Sequence, residues 1–166
     1  AFVPSADAHL YALNVESGAL RWKFEAKKGL WSAPVADEAG TLYFGSMDHF
    51  VYAVDAASGT QRWAAELGGS IAATPALSNG VLYTGTFDKK LQALDARNGA
   101  VRWTVDTEAW VWATPLLVDG TLYAGDLGGN LYAFNASYGT QIWKITPEPG
   151  QPVRGMPAIL DGTLFF

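Results

Sequence analysis

A repeat of 40 or 41 residues constrains the fold of this chain more than any other feature of its sequence. Glycines recur at this spacing, and a tryptophan follows each of them by four positions. The four pairs are Gly18 and Trp22, Gly59 and Trp63, Gly99 and Trp103, and Gly139 and Trp143. A period of this length predicts an array of one structural unit, so functional residues are sought where the copies differ.

Each copy predicts four short antiparallel strands. Runs of β-branched and aromatic residues alternate with Gly, Asp, Asn and Ser, as in hairpins. The strands are apolar on both faces, since Leu10 and Ala12 point one way while Tyr11 and Leu13 point the other. Both faces must be covered, and the connections are too short for helices. The sequence therefore predicts an all-β fold, a β-propeller built of four-stranded antiparallel blades.

Turn chemistry and strand position account for the repeated residues. An Asn or Asp begins the turn before each tryptophan, and the glycine ends it at a position suited to positive φ. These turn-forming residues are Asn14, Asp55, Asp95 and Asn135. The repeated tryptophans are predicted in the outermost strand, where they pack on the next blade. Because proline cannot donate to a ladder, a second repeated set is predicted at the free edge of the channel-lining first strand. That set is Pro34, Pro75, Pro115 and Pro157.

The pattern Ala-x-Asp-x-x-x-Gly-x-x-x-Trp resembles the tryptophan-docking repeat of the pyrroloquinoline-quinone (PQQ) type propellers. Ala53, Asp55, Gly59 and Trp63 match it, and the next copy matches equally. Asn14 and Asn135 replace the aspartate in the other two copies. The resemblance covers essentially the whole chain and implies a propeller.

The resemblance implies one of two branches. Quinoprotein dehydrogenases hold PQQ and calcium on the propeller axis and commonly carry a vicinal cysteine pair. The other branch contains non-catalytic scaffolds of the BamB type and some sensor domains. This chain has no cysteine and nearly uniform repeats. It is similar to the scaffold branch, which implies a cofactor-free protein that binds a protein or peptide partner outside the cytoplasm, in the periplasm or attached to a membrane. A fragment of a quinoprotein dehydrogenase and a ligand-sensing domain are the alternatives.

The repeat divides residues 1–166 into units near 1–28, 29–69, 70–109, 110–150 and 151–166. We expect one domain with three complete blades and two partial ones, the first supplying two last strands and the final one supplying two first strands. By analogy with the family, the segment is expected to be half of an eight-bladed ring. Head-to-tail association of two copies and a closed four-bladed ring are the alternatives.

Departures from the repeat identify candidate binding residues. Trp31 and Trp112 lie three residues before a repeated proline, as does Arg154, and Trp110 lies five before. None of these four residues is required by the repeat. We expect them at one rim of the channel, where aromatic rings and a guanidinium suit a peptide or a flat ring. The alternative is that the rings pack against neighbouring turns.

Composition and spacing exclude several functions. The net charge is −5 without a run of basic residues, which predicts no nucleic-acid partner. No apolar run approaches the roughly 18 residues of a membrane span. Asp7, Asp48 and Asp88 recur after turns, where hairpin geometry accounts for them, and Gly128 takes their place in the fourth copy. His9 and His49 occupy different repeat positions and are predicted in surface loops, so we expect no metal site and no catalytic residue.

Overall fold

The computed structural model describes residues 1–147 and 150–166, and regular secondary structure in these residues is entirely β. Seventeen strands form five antiparallel sheets, which we number as blades I to V. Blade I contains β1 (Phe2–Pro4), β2 (His9–Leu13) and β3 (Leu20–Glu25). Blade II contains β4 (Val35–Ala36), β5 (Thr41–Gly45), β6 (Phe50–Asp55) and β7 (Gln61–Glu66).

The remaining blades follow the same order. Blade III contains β8 (Ala76–Ser78), β9 (Val81–Thr86), β10 (Lys90–Asp95) and β11 (Val101–Asp106). Blade IV contains β12 (Leu116–Val118), β13 (Thr121–Gly125), β14 (Leu131–Asn135) and β15 (Gln141–Ile145). Blade V contains β16 (Ala158–Leu160) and β17 (Thr163–Phe165). The predicted all-β fold with four-stranded antiparallel blades is confirmed.

The first strands of neighbouring blades lie side by side, since β8 contacts both β4 and β12. They form the inner wall of the arc, and the fourth strands lie at its outside. Each repeated proline precedes its first strand by one residue, so the prediction that the prolines lie within those strands is wrong. The reason is that the ladder starts at the next residue, as where Val35 pairs with Tyr43 and Ala76 with Tyr83.

Blade I has three strands in place of the two predicted. Residues 2–4 pair with residues 10–12 to form the additional edge. In the repeat, β1 and β17 take the same strand position, so blades I and V together contain one strand more than a complete blade.

The hydrophobic core lies between the blades. Leu10 and Leu30 pack with Leu42 and Phe44 at the junction of blades I and II. Equivalent clusters fill the two junctions that follow. The second and third strands of the complete blades supply most of this core, and β9 is buried along its whole length. Burial on both faces explains why these strands lack an alternating polar pattern.

Three glycines bring the connection between blades into direct contact with the second strand. A Cβ at Gly45 would lie 2.2 Å from Ile71 Cγ2, one at Gly85 would lie 2.1 Å from Val111 Cγ1, and one at Gly125 would lie 2.3 Å from Val153 Cγ1. Since real side chains do not approach so closely, these positions require glycine because of space.

The repeated tryptophans connect successive blades. The indole N–H groups of Trp22, Trp63 and Trp103 donate to backbone carbonyls of the next blade at 2.9–3.1 Å, namely those of Ala56, Ala96 and Ala136. The repeated glycine of the next blade lies on each ring. A Cβ at Gly59, for example, would lie 2.6 Å from Cε3 of Trp22. Trp143 packs on Tyr123 of its own blade, with ring centroids 5.9 Å apart. Around Gly18 the space is open.

Candidate functional site

Three of the four predicted rim residues meet at one end of the arc. Trp31 lies in the connection from β3 to β4, and Trp110 and Trp112 lie in that from β11 to β12. These connections share one end of the blades with the turns between second and third strands. The centroids of Trp31 and Trp112 are 5.9 Å apart at an angle of 57°. The equivalent position in the connection between blades II and III holds the small residue Ala72, which leaves room for this contact.

Phe87, which the sequence analysis missed, completes the cluster. Its ring stacks on Trp110 at 4.9 Å and 9°, and on Trp112 at 5.3 Å and 23°. We call Trp31, Phe87, Trp110 and Trp112 the aromatic patch. Its outer members remain accessible, since Trp31 is 54% and Trp110 47% exposed. One feature of the sequence could have identified Phe87. The other copies of the repeat have Ala6, Met47 and Leu127 at its position, so Phe87 is the single aromatic residue there.

Backbone hydrogen bonds hold the patch in place. Phe87 N donates to Ser70 O at 2.9 Å, and Leu127 N donates to Trp110 O at 2.9 Å. Val111, between the two tryptophans, is buried and donates its N–H to Thr86 O at 3.3 Å. The rings are therefore carried by segments fixed to the blades, which is the preorganisation that a binding surface needs.

In the described residues Arg154 makes no cation–π contact with a ring of the patch. It is exposed and lines a cavity of about 570 Å³ together with Gln151, Pro152 and Phe166. No ring of the aromatic patch lines this cavity. The structure therefore brings the three predicted tryptophans together but does not bring the predicted arginine to them.

Two carboxylates, those of Asp48 and Asp126, lie in turns at the same end of the blades as the aromatic patch, and each accepts a hydrogen bond from the connection that enters its blade. Asp48 Oδ2 accepts hydrogen bonds from Lys27 N at 2.9 Å and from the Tyr52 hydroxyl at 2.8 Å. Lys27 belongs to the connection from the preceding blade. We call this arrangement the carboxylate clamp. Burial, followed by the hydrogen bond to the Asp48 carboxylate, raises the pKa of Tyr52 well above its usual range.

Blade IV forms a similar clamp with a different carboxylate and with a backbone N–H one position later in the connection. Asp126 Oδ2 accepts hydrogen bonds from Ala109 N at 3.0 Å and from the Tyr132 hydroxyl at 2.8 Å. Asp126 is fully buried and stands where other copies have serine or threonine, two residues before Gly128. The sequence analysis noted the missing aspartate at Gly128 but missed this replacement.

The aspartate and histidines that the sequence singled out lie in turns and at strand ends. Asp7 bonds within its own blade, and the Tyr11 hydroxyl, the largest cause, helps lower the pKa of Asp7 to about 2. His9 begins β2, so the prediction that it lies in a surface loop is wrong for this residue. His49 lies in a turn with φ of 80°, as predicted, and both histidines are partly buried. In residues 1–147 and 150–166 no three His, Cys, Asp or Glu side chains could hold a metal ion together.

Ser32, next to Trp31, carries a buried hydroxyl without a hydrogen-bond partner in the described part of the chain. Ala73 and Ala113 occupy its position in the next two copies. Because an unpaired buried hydroxyl is unfavourable, we expect Ser32→Ala to raise the free energy of unfolding by about 1 kcal/mol. Urea denaturation would measure it, with Ala73→Ser expected to have the opposite effect. A destabilised Ser32→Ala variant would show that the hydroxyl is paired in solution.

Comparison with protein families identifies the chain's relatives. The family described as outer membrane protein assembly factor BamB matches residues 6–146 and 90–166. The chain belongs to this family. No helix in the described residues is long and apolar enough to cross a membrane. A comparison with curated proteins gave no match.

Solved structures support the fold of a BamB-type propeller. The structure of BamB from Moraxella catarrhalis is similar with a TM-score of 0.83 and 21% identity, covering 98% of this chain and 54% of that one. The quinohemoprotein alcohol dehydrogenase ADHIIG from Pseudomonas putida HK5 is similar with a TM-score of 0.77 and 16% identity, covering 98% and 36%. At these identities the likeness concerns the fold. The chain spans about half the length of that BamB, and its blades form part of a propeller.

Proposed function

We propose that this protein is a non-catalytic BamB-like scaffold that binds a protein or peptide partner through the aromatic patch. The observation that carries the proposal is that three tryptophans which the repeat does not need lie together, and that two of them, Trp31 and Trp110, are about half exposed. Tryptophan is among the residues enriched at the energetic centre of protein interfaces. An anchored cluster of such rings at the surface favours partner binding over packing alone.

The proposal includes an extracytoplasmic location and no cofactor. The location is supported by the family description, which names outer membrane protein assembly. A quinoprotein dehydrogenase remains the competing function because that fold is also similar. The carboxylates at the end of the blades that carries the aromatic patch argue against a dehydrogenase. Those of Asp48 and Asp126 are occupied by N–H and O–H donors, and calcium needs six or more oxygen ligands.

Partner capture tests the patch. The immobilised chain is incubated with an outer-membrane fraction of a Gram-negative bacterium and crosslinked, in parallel with Trp31→Ala, Trp110→Ala and Trp112→Ala. Loss of a hot-spot tryptophan costs about 2 kcal/mol or more, so we expect capture to fall at least about tenfold in Trp110→Ala. Tyr138→Ala is the matched control, because Tyr138 is an exposed aromatic residue in a turn at the opposite end.

Equal capture by all three tryptophan variants would remove the patch as the binding site. A second measurement addresses the competing function. PQQ and calcium are added to the chain, and tryptophan fluorescence and dye-linked alcohol oxidation are followed. Saturable quenching together with turnover would overturn the proposal of a non-catalytic scaffold.

A further inference from the structure

A cavity of about 540 Å³ lies between blades III and IV, at the end of the blades opposite the aromatic patch. Its lining includes Asn79 and Gly120, in the turns between first and second strands, and Ser137, in the turn before β15. Successive turns of an antiparallel blade lie at alternate ends, so these turns are remote from the β9–β10 turn that carries Phe87. The cavity shares no lining residue with the aromatic patch.

Two polar side chains in the lining of this cavity, Tyr83 and Arg102, have donors without an acceptor. Within the described residues Arg102 makes one hydrogen bond, from Nη2 to Asp95 Oδ2 at 2.7 Å, and the hydroxyl of the buried Tyr83 makes none. Burial raises the pKa of Tyr83, and the positive charge of Arg102 opposes that rise, which places the two groups near each other. The phenol hydroxyl and the free guanidinium N–H groups can therefore donate to one ligand.

Blade II shows which acceptors these two side chains use elsewhere in the chain. The hydroxyl of Tyr43, the equivalent of Tyr83, donates to Asp37 Oδ2 at 2.8 Å. Arg62, the equivalent of Arg102, donates from Nη1 to Thr41 Oγ1 at 2.7 Å, besides its ion pair with an aspartate. In blade II the chain itself thus supplies a carboxylate and a hydroxyl to the two donors.

Blade III keeps both donors and has lost both acceptors. Val81 replaces Thr41, and a side chain without an oxygen cannot accept from the guanidinium. Ser78 replaces Asp37, since it pairs with Val81 at the start of β9. Blade IV differs again, because Ile142 stands at the position of the arginine. Among the complete blades, blade III alone combines the tyrosine and the arginine without the aspartate and the threonine.

We propose that the cavity between blades III and IV binds a single carboxylate group, which takes the place that the Asp37 carboxylate has in blade II. Arginine and a hydroxyl suit this ligand, because hydrogen bonds to a carboxylate are strengthened by charge and a guanidinium can make two of them. The exposed Asp119 also lines the cavity, and Asp95 pairs with Arg102, so a doubly charged phosphate is repelled. The carboxylate comes from a free organic acid or from an acidic side chain of a peptide.

Titration with carboxylates, followed by proton–nitrogen NMR spectra, tests the proposal. Trp103 is the local reporter, because its indole N–H donates to the carbonyl of Ala136, which lines the cavity. The labelled chain is titrated with isovalerate and isovaleramide, and with end-blocked Ala-Ala-Glu-Ala-Ala and Ala-Ala-Gln-Ala-Ala. We expect at least one acid to shift the indole signal saturably and to bind at least about tenfold more tightly than its amide. Binding of isovalerate indicates a free acid as the source, and binding of the glutamate peptide alone indicates a peptide.

Matched variants locate the carboxylate. Arg102→Gln should weaken binding of the acid at least about tenfold, because the charge-assisted hydrogen bonds are lost. Arg62→Gln is the control, since that guanidinium is already bonded within blade II, and we expect unchanged binding. Ser78→Asp combined with Val81→Thr copies the acceptors of blade II into blade III and should abolish the shift of the Trp103 signal. Unchanged indole signals of the other repeated tryptophans show that each variant is folded.

Several results would overturn the proposal. These are equal binding of acid and amide, unchanged binding in Arg102→Gln, and no saturable shift up to the solubility limit of the probes. Inorganic phosphate that binds as tightly as the acid would overturn the preference for a carboxylate. The test is independent of the proposed function, because none of its variants changes a residue of the aromatic patch.

Discussion

Gly45→Ala should destabilise the protein by about 3 kcal/mol, the upper range for an overpacked core. A Cβ at this position would lie 2.2 Å from Ile71 Cγ2 and 2.8 Å from Ile71 Cβ. Ile71 is fully buried, and its N–H is fixed to Ser46 O at 3.1 Å, so neither side can move freely. The backbone of Gly45 is not in the left-handed region, and the cost is therefore one of space. Urea denaturation followed by circular dichroism would measure it.

Two further variants make the test specific. Gly155→Ala is the matched control, because an added Cβ there meets no atom within 4 Å, and we expect a change below about 0.5 kcal/mol. Ile71→Ala removes the atom that Gly45→Ala would strike first. The double variant should therefore lose at least about 1 kcal/mol less than the sum of the single losses. Additive losses, or a Gly45→Ala variant as stable as Gly155→Ala, would show that the blades are not in such close contact.

The repeat made the blades predictable because the same local rules operate in every copy. Turn-forming Asx and glycine residues set the hairpins, and strands without a polar face had to be stacked. These local rules did not determine where each strand begins, because that depends on which residues pair in the ladder. The prolines lie just outside their strands because the ladder begins one residue later, and Phe2–Pro4 forms an edge because β2 offers it a partner.

The aromatic patch was partly predictable for the opposite reason. Trp31, Trp110 and Trp112 stand out because they break the repeat. Phe87 could not be joined to them from sequence, since its contact crosses from a turn of blade III to the connection entering blade IV. Arg154 breaks the repeat as well, yet it lines a cavity beside Pro152 to which no ring of the patch contributes. Residues that depart from the repeat can be picked out as candidates from the sequence. Which of them lie together depends on how the blades are arranged, and the sequence alone does not show this.

Replacing Asp126 is the second substitution expected to lower the free energy of unfolding strongly. Its carboxylate also accepts two hydrogen bonds from the Asn130 side chain, at 3.0 and 2.9 Å, besides those from Ala109 N and Tyr132. Asp126→Ser would leave several of these buried donors without an acceptor. Since each unpaired buried donor costs about 1–3 kcal/mol, we expect a loss of about 3 kcal/mol in the free energy of unfolding. Chemical denaturation at neutral pH would measure it.

Adding Gly128→Asp to Asp126→Ser should recover most of this loss, because the pair then copies Ser46 and Asp48 of blade II. There the carboxylate, two residues later in the chain, accepts from the equivalent tyrosine hydroxyl and from a backbone N–H of the preceding connection, that of Lys27, which corresponds to Glu108 and not to Ala109. An added Cβ at Gly128 would lie 3.1 Å from Asn130 Nδ2 and 3.2 Å from Asp126 Oδ1, and the serine removes the second of these contacts. Gly128→Asp alone should destabilise, since two carboxylates would then share one buried site. If the double variant is no more stable than Asp126→Ser, the clamp depends on where its carboxylate is attached, and blades II and IV are not equivalent.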